Sequence, residues 1–260
     1  MDVRLDGRTA LITGGSKGLG FAMASEFAAS GADVAIVARR EDVLKEAVAE
    51  IAKRAKTRVH PIAADVGTAE GCQKAHDEAI KAFGKVDILV NNAGKSQTGK
   101  FVEITDAIWQ DDLDLKLFAA IRLARLCLPQ MSQRKWGRII NVLNTGAKTP
   151  GAGSAPTTVS RAAGMALTKV LAGEGAPNNV LVNALLVGLI ESDQWVRRHK
   201  SQGTNVSYDD FIKGMGTKLP LGRIGTAQEF ANIACFLASD AGGYINGTAI
   251  NVDGGASPVV

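Results

Sequence analysis

The 260-residue chain is poor in aromatics, has three cysteines, and nowhere reaches the roughly 18 unbroken apolar residues that a membrane span needs. Each shortage closes a class of function. Aromatics make up 5% of the residues and are not interleaved with basic clusters, so the stacking platforms of single-stranded nucleic-acid binders are missing. Cys72, Cys127 and Cys235 are far apart, with no CxxC pair and no histidine nearby in a metal-ligand pattern, which argues against a disulfide framework and a zinc site alike; no metal is expected. The start, Met1-Asp2-Val3-Arg4-Leu5-Asp6-Gly7-Arg8, has no apolar leader-like stretch, and the expected compartment is the cytoplasm. Net charge is only +4, with basic residues spread among acidic ones, so neither nucleic acid nor a membrane is an expected partner.

What is present is an ordinary globular composition, with 46% hydrophobic and 22% charged residues, long enough for one α/β domain over residues 1–260. Short apolar runs at Thr9–Thr13, Val34–Ala38, Arg58–Ile62, Val86–Val90, Arg138–Leu143, Val180–Leu186 and Thr248–Val252 read as buried strands. Between them, Leu19–Ala29, Asp42–Ala55, Thr68–Phe83, Ile108–Ser132, Thr158–Glu174 and Ala227–Ala238 space apolar residues by three and four, as sheet-covering helices do. The alternation predicts a Rossmann-type, doubly wound parallel sheet of about seven strands; its strand order is not readable. Glu191–Leu219 is more polar and less periodic, carries Arg197-Arg198-His199-Lys200, and reads as a lid-like insertion.

The first strand runs into Gly14-Gly15-Ser16-Lys17-Gly18-Leu19-Gly20 and then directly into a helix. Gly14 permits a tight turn, Gly18 lets backbone approach a pyrophosphate, and Gly20 lets the helix lie close to the sheet. The helix N-terminus offers unpaired N–H donors to the anion. At the end of the second strand, Ala38 supplies no carboxylate for a ribose 2′-hydroxyl, whereas Arg39 with Lys17 is suited to clamp a 2′-phosphate. NADP(H) is therefore expected in preference to NAD(H).

With these motifs in hand, the chain resembles the short-chain dehydrogenase/reductase family over nearly its whole length. Thr13-Gly14 through Gly20 is similar to the family's cofactor turn, Asp65-Val66 to the pair bracketing adenine, and Asn91-Asn92-Ala93-Gly94 to the motif ending the fourth strand. Val187-Gly188-Leu189-Ile190-Glu191-Ser192 resembles the Pro-Gly-x-x-x-Thr segment that closes on the nicotinamide, and Gly247 through Asp253-Gly254-Gly255 fits as well. The resemblance implies cofactor contacts at Gly14, Ser16, Lys17, Gly18, Leu19, Gly20, Arg39, Asp65, Val66, Asn92, Ala93, Gly94, Arg161, Gly188, Ile190 and Ser192.

The family's catalytic Asn, Ser, Tyr and Lys fall, in register, on Lys116, Asn144, Thr157 and Arg161. An aliphatic Thr hydroxyl does not ionise near neutral pH and cannot replace a phenol as acid or base. Lys116, partly buried beside Arg161, is expected to have a lowered pKa and is the favoured proton donor; Lys148, Tyr208 and His199 are weaker candidates. Two readings follow: an oxidoreductase on a small carbonyl or alcohol, enone or imine with an unusual proton donor, or a catalytically inactive NADP(H)-binding sensor or subunit. The apolar helices Leu113–Met131 and Ala162–Leu171, which in the family build subunit interfaces, imply a homo-oligomer, a dimer or tetramer.

Overall fold

The computed structural model describes residues 3–55, 57–202 and 206–260, without the side chains of Asp193, Gln194, Arg197 and Gln202. Seven strands, β1 (Thr9–Thr13), β2 (Asp33–Ala38), β3 (Val59–Ala63), β4 (Ile88–Asn91), β5 (Gly137–Asn144), β6 (Val180–Val187) and β7 (Ala249–Val252), form one sheet in the order β3-β2-β1-β4-β5-β6-β7. Every pairing is parallel. Strands buried on both faces need continuous apolar sequence rather than alternation, and β1, every residue of which is buried, shows it.

The pleat sends successive residues to opposite layers. Ala10 and Ile12 of β1, with Val34 and Ile36 of β2, join a core closed by α1 (Gly18–Ala29), α2 (Glu41–Ala52) and α9 (Ala227–Ala238). Leu11, Ala35 and Val37 face the other way, into a core with α3 (Ala69–Phe83) and α5 (Ala119–Gln133). The strand order reverses between β1 and β4, and a crevice at the carboxyl ends of such strands is where this architecture binds ligands.

The structure departs from the sequence reading in two places. The single helix expected over Ile108–Ser132 is α4 (Asp106–Leu113), a π turn at Asp114–Phe118, and α5. A π turn spans more residues than an α turn, so the apolar stripe changes face there without losing its short-range spacing. Residues 191–219 contain two helices, α7 (Asp193–Gln202) and α8 (Tyr208–Gly216), the second capped by the Ser207 hydroxyl, which accepts from the Asp210 amide at 3.1 Å. The polar composition of α7 hides its period. Residues 203–205 and the Arg197 side chain, both within the lid reading, lie outside what is described. No helix among the described residues is long and apolar enough to cross a membrane.

Candidate active site

The crevice is built from backbone constraints. Thr13, at the end of β1, donates its hydroxyl to Val90 O at 3.3 Å and accepts from the amides of Asn92 and Ala93 at 2.9 and 3.0 Å, tying β1 to β4 at the switch point. The Asn92 side-chain Nδ2 in turn donates to Thr13 O at 2.9 Å. Gly14 has φ +65°, and a β-carbon on Gly20 would fall 2.2 Å from Gly14 O, so α1 comes as close as it does only because residue 20 is glycine. At Gly18, φ is +55° and nothing lies within 4 Å of where a β-carbon would project, leaving open space over the start of α1. The N-cap of α1, Lys17, makes no side-chain cap hydrogen bond and its first turn holds no acidic residue. The N–H groups there suit an anion.

Two cavities sharing Gly14, Ala93 and Gly94 form one groove. The first, about 360 Å³, is lined by Arg39, Asp65 and Val66 among others; the second, about 330 Å³, by Ser16, Lys17, Gly18, Leu19, Asn92, Arg161, Gly188, Ile190 and Ser192. All the cofactor positions read from the sequence thus border this groove, except Gly20, which acts one layer below. Lys17 and Arg39 border different halves of it. Gly188 is required as glycine, since a β-carbon would fall 2.4 Å from the Asp253 β-carbon. Trp195, absent from the sequence reading, roofs the second cavity and is pinned by an Nε1 hydrogen bond to Ile190 O at 2.8 Å. This groove, with its open glycine, uncapped helix start and two flanking cations, fits a dinucleotide.

Beside it, Lys116 and Thr157 are in direct contact, with Nζ 2.8 Å from Oγ1. The Thr157 hydroxyl also donates to Gln97 O at 2.7 Å and accepts from the Gln97 amide at 3.0 Å, which uses up its bonding capacity. The Lys116 side chain is 3% exposed and ion-paired with Asp112, whose side chain is fully buried and accepts from the Ser160 hydroxyl at 2.6 Å. Arg161 donates to Val142 O at 2.8 Å and borders the groove. Asn144, at the end of β5, has a buried side-chain oxygen without a hydrogen bond. Gln97, Asp112 and Ser160 escaped the sequence reading; an acid four residues before a flagged lysine was the one available signal.

Burial lowers the Lys116 pKa to about 8; the Asp112 hydrogen bond opposes the fall, and the charge of Arg161 adds to it. Burial likewise takes Arg161 down to about 10, where it remains a cation at neutral pH. The three cysteines are buried, and loss of solvation pushes their thiols up to about 11, 12 and 11, so none is a thiolate nucleophile. The weaker donor candidates are engaged elsewhere. Lys148 donates to Ala249 O at 2.7 Å, and His199 packs against Tyr208 and Phe211 of α8.

A family model described as enoyl-(acyl carrier protein) reductase matches residues 14–257. The 3-oxoacyl-acyl-carrier-protein reductase FabG of Aquifex aeolicus is 32% identical over 255 residues, spanning 98% of this chain and 99% of its own length. The chain belongs to the short-chain dehydrogenase/reductase family. Human dehydrogenase/reductase SDR family member 4 is another relative, 32% identical over 256 residues, covering 96% of this chain and 88% of its own. Among solved structures, the L-sorbose reductase of Gluconobacter frateurii, complexed with NADPH and L-sorbose, matches with a TM-score of 0.95 and 34% identity over 100% of both chains.

Proposed function

We propose that this short-chain dehydrogenase/reductase is an NADP(H)-dependent oxidoreductase acting on a small carbonyl or alcohol, enone or imine, with Lys116 exchanging the proton. The cofactor, when bound, supplies or accepts the hydride. Arg39 and Lys17 favour the 2′-phosphorylated form, because Ala38 leaves no carboxylate to repel a dianion. Arg161 stands where the family's lysine holds ribose hydroxyls, which its N–H groups can do without giving up a proton. Asn144 has an amide that both donates and accepts, and orients the reacting heteroatom.

In the reducing direction, the Lys116 ammonium passes a proton to the substrate oxygen or nitrogen and becomes the neutral amine. Arg161 favours that product electrostatically. The family's Asn, Ser, Tyr and Lys are replaced at all four positions. Neither tyrosine takes over the missing phenol, since Tyr244 is fully exposed and Tyr208 lies in α8 against His199. The observation that carries the reading is the buried Lys116 ammonium, with a pKa of about 8, behind the groove wall, where its side chain meets Gly94 and lines a small void with Ala93 and Arg161, all three of which border the groove.

NADPH oxidation, screened at high protein concentration against ketone, enone and imine panels, tests it. Turnover with one class names the substrate; no consumption with any class removes the oxidoreductase reading. The saturated Thr157 hydroxyl favours a second reading, a non-catalytic NADP(H) binder, in which saturable NADPH binding accompanies no turnover. In either case α7 and α8 serve as the lid, with Trp195 over the groove. Exposed Phe118, Val159 and Val170 equip the π turn and α6 (Thr157–Gly175) for a homo-oligomeric dimer or tetramer.

A further inference from the structure

The most unusual group near the groove is Asp112. Its carboxylate is fully buried, in the last turn of α4, two residues before the π turn that presents Lys116. A buried carboxylate is retained only where its charge is matched and its oxygens are bonded. Both oxygens are engaged here: Oδ1 by the Lys116 ammonium and Oδ2 by the Ser160 hydroxyl at 2.6 Å. Ser160 is itself 1% exposed and sits in the first turn of α6, its hydroxyl oxygen also 3.1 Å from Thr157 O, so the one proton is shared unequally in favour of the shorter contact to Asp112. Asp112 therefore links three elements: α4, the π turn, and the first turn of α6 that carries Thr157.

We propose that Asp112 is the positioning residue for Lys116, fixing the ammonium nitrogen against the Thr157 hydroxyl at the edge of the cofactor groove. This rests on the reading of Lys116 as proton donor. The Lys116 nitrogen has two bonds of fixed direction, to Asp112 and to Thr157, so its remaining N–H direction is determined. The charged groups around it are Asp112 on its own helical segment, Arg161 from α6, and Lys95 from the segment after β4. Lys95 is paired with Asp111 at 2.5 Å, so its charge is partly offset, while the charge of Arg161 is opposed by the same Asp112 carboxylate. Two cations and burial drive Lys116 toward the neutral amine. Asp112 alone among these groups opposes them, and its loss lowers the ammonium fraction at a given pH.

The test compares Asp112→Asn and Asp112→Glu in the full-length protein. The titration of Lys116 is followed by NMR of lysine labelled at the ε-carbon, its signal assigned through Lys116→Met. NADPH binding and the pH dependence of kcat/KM are measured alongside. Asp112→Asn is expected to lower the ammonium-to-amine ratio of Lys116 at fixed pH by at least tenfold, to lower kcat more than it raises KM, and to leave NADPH affinity within twofold. Asp112→Glu, which keeps the charge, is expected to restore the ratio to within threefold of the parent. An unchanged Lys116 titration in Asp112→Asn overturns the proposal. So does a glutamate variant no closer to the parent than the asparagine one. If Asp112→Asn does not fold, the glutamate variant alone decides: a Lys116 titration displaced more than tenfold despite the retained carboxylate is the overturning result. Because the NMR titration needs no turnover, a protein without activity would refute the oxidoreductase reading and still report on Asp112.

Discussion

The pH dependence of turnover is the most direct consequence of the Lys116 environment. With its pKa lowered by burial to about 8, the ammonium is the dominant form at pH 7 and the minor one at pH 9. A donor that must be protonated therefore gives a kcat/KM for reduction that is level below pH 7 and falls about tenfold per pH unit above pH 8, while the oxidative direction rises through the same region. Lys116→Arg keeps a cation that cannot release its proton, and Lys116→Met keeps neither; both are expected to lose roughly 10²–10⁴ in kcat, the contribution of a positioned acid. Stability carries the same signature with a definite sign. The folded pKa lies below the ordinary 10.5, so between about 8 and 10.5 the unfolded chain binds more protons and stability rises with pH. That gap corresponds to ~3 kcal/mol for a side chain so little exposed. The assays are initial rates of NADPH consumption from pH 6 to 10 and urea denaturation over the same range, each compared with Lys116→Met. A reductive rate that stays level to pH 10, or a Lys116→Met enzyme with the parent kcat, would refute the assignment.

Other outcomes are expected from the groove and its flank. Arg39→Ala, measured by fluorescence titration, should weaken NADPH binding roughly tenfold to a hundredfold through loss of a charge-assisted contact, and leave NADH binding within twofold. Gly20→Ala places a methyl group 2.2 Å from Gly14 O and 2.6 Å from the Asn92 amide nitrogen, forcing α1 away from the turn. A cost of ~1–3 kcal/mol in stability should appear by denaturant titration, together with at least a tenfold loss of NADPH affinity. Restoring the family residues by Thr157→Tyr with Arg161→Lys should give no alcohol dehydrogenase activity, because the ring must enter space held by the Lys116 ammonium and the Gln97 backbone. Adding Lys116→Asn to that pair should raise activity at least a hundredfold over the double variant, within the range of general acid–base catalysis; a double variant as active as the triple would show that Lys116 does not fill the site.

The parts of this molecule legible in the sequence are those in which backbone geometry dictates residue type. Gly14 needs a left-handed φ and Gly20 a missing β-carbon, so the cofactor turn is written in glycine, and inner strands such as β1 and β2 are written as largely apolar runs because both their faces are covered. The helices within residues 191–219 were not legible, since α7 is polar nearly throughout and shows little of the apolar spacing that marks the others. The flank of the groove was half legible: register placed Lys116, Asn144, Thr157 and Arg161, and the structure joins the first to the third. Asp112 was invisible for a physical reason. An acid four residues before a lysine on a helix is ordinarily a solvated pair worth a few tenths of a kcal/mol, and only the packing of α6 across it, with Ser160 closing the second carboxylate oxygen, turns the same spacing into a buried pair. What a one-dimensional pattern lacks is the dielectric around the charges, and that dielectric is what separates a surface lysine from a proton donor working near neutral pH.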